Sequence, residues 1–156
     1  MNLLKEDLKR KNRRINMRLL IIIFAIWTFP TLTYCQNKDT QYKIDTILAN
    51  CLKENVTTVG MSDCLVSAQN LWDKELNKYY QLLLTKLDAK GQNKLKETQK
   101  QWIVFRDHEI KFISETYGNR EGTMWIIIVA DKINQLVRQR AVDLIGYYET
   151  LSENSN

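Results

Sequence analysis

The chain has few of the residues that interrupt helices or bind metals. Its 156 residues include one proline, five glycines, three cysteines and one histidine. So few prolines and glycines favour long helices with short connections. A single histidine excludes the usual zinc sites with several histidines, and the sequence has no nucleophile–base pair, metal-ligand cluster or phosphate-binding loop. We therefore predict one domain that is not an enzyme and needs no cofactor or metal.

The positive charge of the chain is confined to its first 35 residues. The whole chain has a net charge of +5. Residues 1–35 contain seven of the 23 basic residues and two of the 18 acidic ones, which leaves 16 of each in the remainder. This balance gives no support for the basic face that a nucleic-acid-binding domain needs. We therefore expect no nucleic-acid partner.

The same 35 residues are ordered like a secretory signal. Basic residues extend to Arg18, and an apolar stretch covers residues 19–29. This stretch is shorter than the ~20 residues of a membrane span and is typical of a signal peptide. A cut after Cys35 would place Thr33 at the third position before it. We therefore predict a signal peptide over residues 1–35.

Three features of this leader leave alternatives. Met17 could be the start, because Met17, Arg18 and the apolar stretch form a complete signal by themselves. Cys35 could carry a lipid, although Tyr34 before it is bulky for a lipoprotein signal. The leader could also stay uncleaved as an anchor, and in either case it would be the only part in contact with a membrane. The expected product is a single helical domain over residues 36–156, in the periplasm or secreted.

Apolar residues recur at helical spacing in four segments after the leader. The predicted helices span residues 40–53, 62–89, 93–117 and 123–151. Thr40 is the expected N-cap of the first helix. The four segments together predict an all-α protein, an antiparallel bundle of three long helices and one short N-terminal helix.

Three details of these helices can be tested by a structure. Gly91 is expected to end the second helix in a left-handed conformation. The run Trp125–Ala130 could form a strand, but a lone strand would have no partner, so we predict a helix. The third helix is expected to turn one stripe towards the core, formed by Leu95, Thr98, Trp102, Phe105, Glu109, Phe112 and Ile113.

Two cysteines remain after the leader, Cys51 and Cys64. An even number in an exported chain predicts a disulfide bond. It would enclose 12 residues and would stabilise the fold by about 3 kcal/mol in the chain-entropy model. Two buried thiols, or a metal or redox pair, are the alternatives, but no further cysteine or histidine lies nearby in the sequence.

The order and spacing of residues from Cys51 to Tyr147 resemble the N-terminal domain of the LprI family of lysozyme inhibitors. Many family members have a second cysteine pair, which this chain lacks. Ile110 stands near the place where one of these cysteines is expected. The last two helices are therefore not joined by a disulfide. The residues that carry the resemblance are Cys51, Met61, Cys64, Ala68, Trp72, Asp73, Leu76, Asn77, Tyr80, Gln99, Trp102, Arg106, Asp107, Gly122, Arg140 and Leu144.

The resemblance implies a small helical binding module outside the cytoplasm, with lysozyme inhibition as the family's named activity. The expected partner is a protein, either lysozyme or another envelope protein. A structural or envelope-assembly protein without inhibitory activity is the alternative function. A peptidoglycan hydrolase has little support, because the carboxylates of Asp107 and Glu109 lie too close on one helix to face each other across a cleft.

Most of the motif residues are expected to be structural. We predict that Trp102 lies in the core, with Arg106 or Asp107 paired to a charge on another helix such as Arg140. A recognition surface for a sugar or a protein is the alternative. Asn77 is expected to form a hydrogen bond between helices, and Tyr80 is expected to pack beside it. Trp72, Asp73 and Gln99 are also expected to have structural roles.

A polar loop is the candidate for partner binding. It comprises Gly118, Asn119, Arg120, Glu121 and Gly122. An acidic enzyme cleft would accept a basic side chain, so we expect Arg120 to make that contact.

Two further features lie on either side of this loop in the sequence. His108, the only histidine, is expected to be exposed to solvent. The apolar run Trp125–Ala130 is expected to be buried in the core, with a partner-binding or membrane-contacting patch as the alternative.

Overall fold

The computed structural model describes residues 42–153, which fold into four helices. The predicted all-α class is confirmed, and no strand occurs in residues 42–153. None of the four helices combines the length and apolar character that a membrane crossing requires. The predicted leader lies outside these residues, as do Thr40, Met17 and Cys35. The helices are α1 (Lys43–Glu54), α2 (Thr58–Lys86), α3 (Ala89–Tyr117) and α4 (Met124–Glu153).

Capping side chains determine where α2 and α3 begin. The hydroxyl oxygen of Thr57 accepts a hydrogen bond of 3.0 Å from the Gly60 N–H, and α2 begins four residues earlier than predicted. The Asp88 carboxylate accepts one of 2.7 Å from the Gly91 N–H. Gly91 therefore lies in the first turn of α3, and the prediction that it ends α2 was wrong. These caps satisfy backbone donors that a helix start leaves free.

The centre of the bundle is formed by α2 and α4, which run parallel to each other. Trp72 lies near Arg138, and Tyr79 packs edge-to-face on Tyr148 at 5.6 Å. The helix between them in sequence, α3, runs antiparallel to both. The buried apolar residues are Cys64, Leu65, Ala68, Trp72, Leu76, Leu83, Ile113, Val137, Ala141, Leu144 and Ile145.

The short helix α1 is held in place by a disulfide, an ion pair and an aromatic contact. The predicted Cys51–Cys64 disulfide is confirmed. The Arg138 guanidinium donates two hydrogen bonds to the Asp45 carboxylate, Nε to Oδ1 at 2.9 Å and Nη2 to Oδ2 at 2.7 Å. Tyr42, the N-cap, packs edge-to-face on Trp72 at 5.4 Å. Both ends of this helix are therefore attached to the central pair.

Helix α3 turns only part of its predicted stripe to the bundle, since Leu95 and Trp102 pack against the core and Ile113 is buried. The predicted stripe was wrong for Thr98, Phe105 and Phe112, which are exposed, the last two by 53% and 56%. The only fully buried residues of α3 are Gln99 and Ile113. Gln99 is turned inward and binds a buried arginine of α4. The inner face of α3 therefore combines this polar contact with the packing of Leu95 and Trp102 on the core.

Candidate partner-binding surfaces

The loop between α3 and α4 depends on two glycines. A side chain on Gly118 would place its Cβ 2.5 Å from the backbone oxygen of Ser114, so this turn needs a glycine. Gly122 has a φ of 103°, a conformation that other residues rarely adopt. The Gly118 N–H donates to the Ser114 carbonyl at 2.9 Å and closes α3. The loop 118–122 is therefore a defined turn at one end of the bundle.

Arg120 is exposed, but its side chain is supported by an aromatic pair. Its guanidinium carbon lies 4.8 Å from the centre of the Trp125 ring. Trp125 is stacked on Tyr117, with ring centres 5.9 Å apart and an angle of 19° between the planes. On the other side, the Lys132 ammonium lies 5.1 Å from the Tyr117 ring. Two cations thus enclose two stacked rings, an arrangement in which each cation–π contact is favourable.

Neither cation of this cluster forms an ion pair with a carboxylate in residues 42–153. The ion pairs there join Glu75 to Lys78, Arg106 to Asp107, Lys111 to Glu115, and Asp45 to Arg138. The Nε–H of Arg120 donates to the Thr116 carbonyl at 3.4 Å, which leaves its Nη groups directed to solvent or a partner. The loop end of the bundle therefore presents two cations and two stacked rings beside the exposed Glu121.

A groove of about 350 Å³ lies beside this loop. The predicted helix over the run Trp125–Ala130 is confirmed, but its predicted burial was wrong, because no residue of the run is fully buried and Ile126 is 53% exposed. The run forms one wall of the groove instead. The lining residues are Ser62, Val66, Gln69, Gly118, Arg120, Gly122, Trp125, Ile126, Val129, Ala130 and Ile133.

The charged motif residues of α3 pair within their own helix. Both Nε and Nη2 of Arg106 donate to Oδ1 of Asp107, at 2.9 and 2.8 Å. Arg106 also lies over the half-buried Trp102, 5.5 Å from its ring centre. The predicted pairing of Arg106 or Asp107 with a charge such as Arg140 on another helix was therefore wrong. The physical reason is that Arg140 already has a neutral partner.

That partner is Gln99. Arg140 is 8% exposed, and its Nε–H donates to the Gln99 side-chain oxygen at 3.0 Å. The guanidinium also lies 5.9 Å from the Trp102 ring centre. Its buried Nη2 has no hydrogen-bond partner. We refer to Gln99, Trp102 and Arg140 as the Gln99–Arg140 cluster. Motif spacing alone did not indicate that these three meet.

The motif residues of α2 have simpler roles. Asn77 donates to the Asp73 backbone oxygen at 2.8 Å and to the Asp73 carboxylate at 3.1 Å. Its predicted hydrogen bond between helices was therefore wrong, because both partners belong to its own helix. Trp72 is 1% exposed and Tyr80 packs against the core, as expected of structural residues.

A second groove, of about 340 Å³, lies between α2 and α3. It brings together three motif residues, Asn77 and Tyr80 of α2 and Gln99 of α3. The remaining lining comes from α3 alone, and its residues are Lys96, Lys100, Ile103 and Val104.

Within residues 42–153, no three histidine, cysteine or acidic side chains converge on a possible metal position. His108 is exposed, as predicted. Asp107 is bound to Arg106, so it does not face Glu109 across a cleft.

Comparisons with known proteins agree with this description. The family model for the lysozyme inhibitor LprI matches residues 49–144. A crystal structure of an uncharacterised protein from Burkholderia thailandensis is similar to the chain, with a TM-score of 0.68 and 28% sequence identity. The similarity covers 72% of this chain and 57% of that one, so this chain corresponds to just over half of the relative's length. No curated protein matches the chain.

Proposed function

The chain belongs to the lysozyme inhibitor LprI family, and from this membership we propose that it is an exported protein that inhibits a lysozyme. In this proposal the loop 118–122 enters the cleft of the enzyme, with Arg120 as the contacting side chain. The disulfide suits an oxidising compartment, where such bonds persist.

The position of Arg120 is the observation that carries the proposal. Glycosidases use two carboxyl groups that flank the substrate bond. An arginine can bind a carboxylate through two parallel hydrogen bonds, and it does so best where its orientation is already restricted. The stacking on Trp125 restricts the Arg120 side chain in this way. Aromatic residues and arginines are also the side chains that most often dominate the affinity of an interface.

The test is inhibition of a c-type lysozyme by the exported, oxidised protein, measured as the rate of cell-wall lysis. We expect inhibition by the wild type and its loss in Arg120→Glu. Lys111→Glu is the matched control, because it makes the same charge change on an exposed part of α3. Unchanged inhibition by a folded Arg120→Glu protein would remove the loop from the mechanism, and no inhibition by the wild type would remove lysozyme as its target.

Exposed apolar side chains favour a second candidate, an envelope-assembly protein without inhibitory activity. Met124 and Ile126, at the start of α4, are 62% and 53% exposed. Exposed apolar patches often mark protein interfaces. Self-association in light scattering that Ile126→Asp abolishes, together with no effect on lysozyme, would favour this candidate over the first.

A further inference from the structure

The groove between α2 and α3 has a cationic end and an apolar end. Lys96 and Lys100 are four residues apart on α3, so they lie on the same side of the helix, about 5–6 Å apart at Cβ. One turn further along, Ile103 and Val104 are 40% and 49% exposed. Asn77 and Tyr80 complete the lining from α2. A ligand lying along α3 would thus meet positive charge first and apolar surface second.

The two lysines of this groove have no carboxylate bound to them. Lys96 and Lys100 form no ion pair with a carboxylate in residues 42–153. The carboxylates of Glu97 and Asp73 instead accept hydrogen bonds from Gln101 and Asn77. An acidic ligand would therefore not have to displace an existing ion pair.

A buried cation lies directly behind the groove wall. Gln99 lines the groove, and its side-chain oxygen holds the Arg140 Nε–H at 3.0 Å. Arg140 is more than nine-tenths buried, with Nη2 unpartnered. A cation buried without a carboxylate is unfavourable, and the field of this charge adds to that of the two lysines. Negative charge placed in the groove would be stabilised by all three.

We propose that this groove binds an acidic helical segment of a partner protein. The segment presents two carboxylates one turn apart to Lys96 and Lys100, followed by an apolar side chain against Ile103 and Val104. A cavity of about 340 Å³ accommodates a few side chains of such a segment. This is the helix-in-groove mode of recognition, in which regularly spaced side chains anchor the ligand.

The groove is separate from the loop proposed to contact lysozyme. Positions 100 and 120 are twenty residues apart, and most of these residues lie in α3. At 1.5 Å per residue, this corresponds to ~30 Å. A partner in the groove could therefore bind whether or not the loop is occupied. The proposal does not depend on lysozyme inhibition.

The test uses a fluorescein-labelled helical peptide with glutamates at positions i and i+4 and leucines at i+7 and i+8. Binding to the exported, oxidised protein is measured by fluorescence anisotropy. We expect the double variant Lys96→Glu/Lys100→Glu to bind at least about tenfold more weakly, since both charge pairs become repulsive. The matched control is Lys90→Glu/Lys94→Glu, which makes the same charge change on the same helix outside the groove, and its affinity should remain within about twofold.

Two further variants separate the parts of the proposal. Val104→Asp, at an exposed position that folding tolerates, should weaken binding about fivefold or more by removing the apolar anchor. Arg120→Glu should leave peptide affinity unchanged, which distinguishes the groove from the loop. No binding of the peptide, or an equal loss in both lysine double variants, would overturn the proposal, because the groove would then contribute nothing specific.

Discussion

Helices α3 and α4 have nearly the same length but contribute very differently to the core. The 30-residue α4 buries six residues, and so does the 29-residue α2 packed against it. The 29-residue α3 buries two, Gln99 and Ile113. Equal helix length therefore does not mean equal packing, and α3 also has fewer apolar residues than α2 or α4. The central pair supplies most of the buried area, and α3 is placed on it by a few specific contacts.

The apolar residues that α3 leaves outside suggest a division of roles. Val104, Phe105 and Phe112 of α3 are all about half exposed. Both candidate binding surfaces border this helix, the loop at its C-terminal end and the groove along its N-terminal half. Side chains that do not stabilise the fold remain accessible to a partner. We therefore expect substitutions in α2 and α4 to affect stability, and substitutions on the outer face of α3 to affect binding.

Two tryptophans provide the largest expected contrast between these regions. Trp72→Ala should lower the free energy of unfolding by about 3–5 kcal/mol, because the side chain is 1% exposed and its loss leaves a cavity under Arg138. Trp102→Ala on α3 should lower it by roughly 1–2 kcal/mol, since a half-buried side chain loses less contact. Urea denaturation followed by circular dichroism measures both. Equal losses would show that α3 is packed as tightly as the central pair.

The disulfide provides the next contrast, between α1 and α3. The double variant Cys51→Ala/Cys64→Ala should lower the free energy of unfolding by about 3 kcal/mol, because it releases the constraint on the unfolded chain. Hydrogen exchange should quicken most in α1, which then keeps the Asp45–Arg138 pair, the Tyr42–Trp72 contact and the packing of Ile44 on the core. Hydrogen exchange that quickens equally in α3 would contradict the view that this disulfide acts mainly on α1.

The smallest of the three effects concerns the polar contact that places α3. Gln99→Leu removes the acceptor of the buried Arg140 Nε–H and should lower the free energy of unfolding by about 2 kcal/mol. Gln101→Leu is the control, because that glutamine is exposed and bound only to Glu97; its effect should stay within about 0.5 kcal/mol. A stability loss no larger than the control's would mean that α3 is held by its apolar contacts alone.

Much of the fold followed from local patterns in the sequence. The buried residues of α2, such as Leu65, Trp72 and Leu76, recur at helical spacing, the pattern from which this helix was predicted. The Cys51–Cys64 bond followed from an even cysteine count and an exported context. Helix starts were less accurate, because Thr57 and Asp88 act as caps that outweigh the position of the first apolar residue.

The candidate sites were only partly predictable. The loop 118–122 could be identified from its glycines and polar residues, but the stacking of Arg120 on Trp125 could not. The ion pair between Asp45 and Arg138 joins residues 93 positions apart, and neither has a sequence signal that indicates the other. The groove was missed for the same reason, since its walls come from two helices.

The sequence alone therefore determined the number and type of helices, the disulfide and the inner face of α2, because each depends on residues close together in the chain. The tertiary structure decided the rotation of α3, the Gln99–Arg140 cluster and the two grooves. A helical repeat shows which residues share a face, but which face turns inward depends on the shape and charge of the neighbouring helix. For α3, the face that turns inward includes Gln99 beside the buried Arg140 of α4, and Phe105 and Phe112 lie outside.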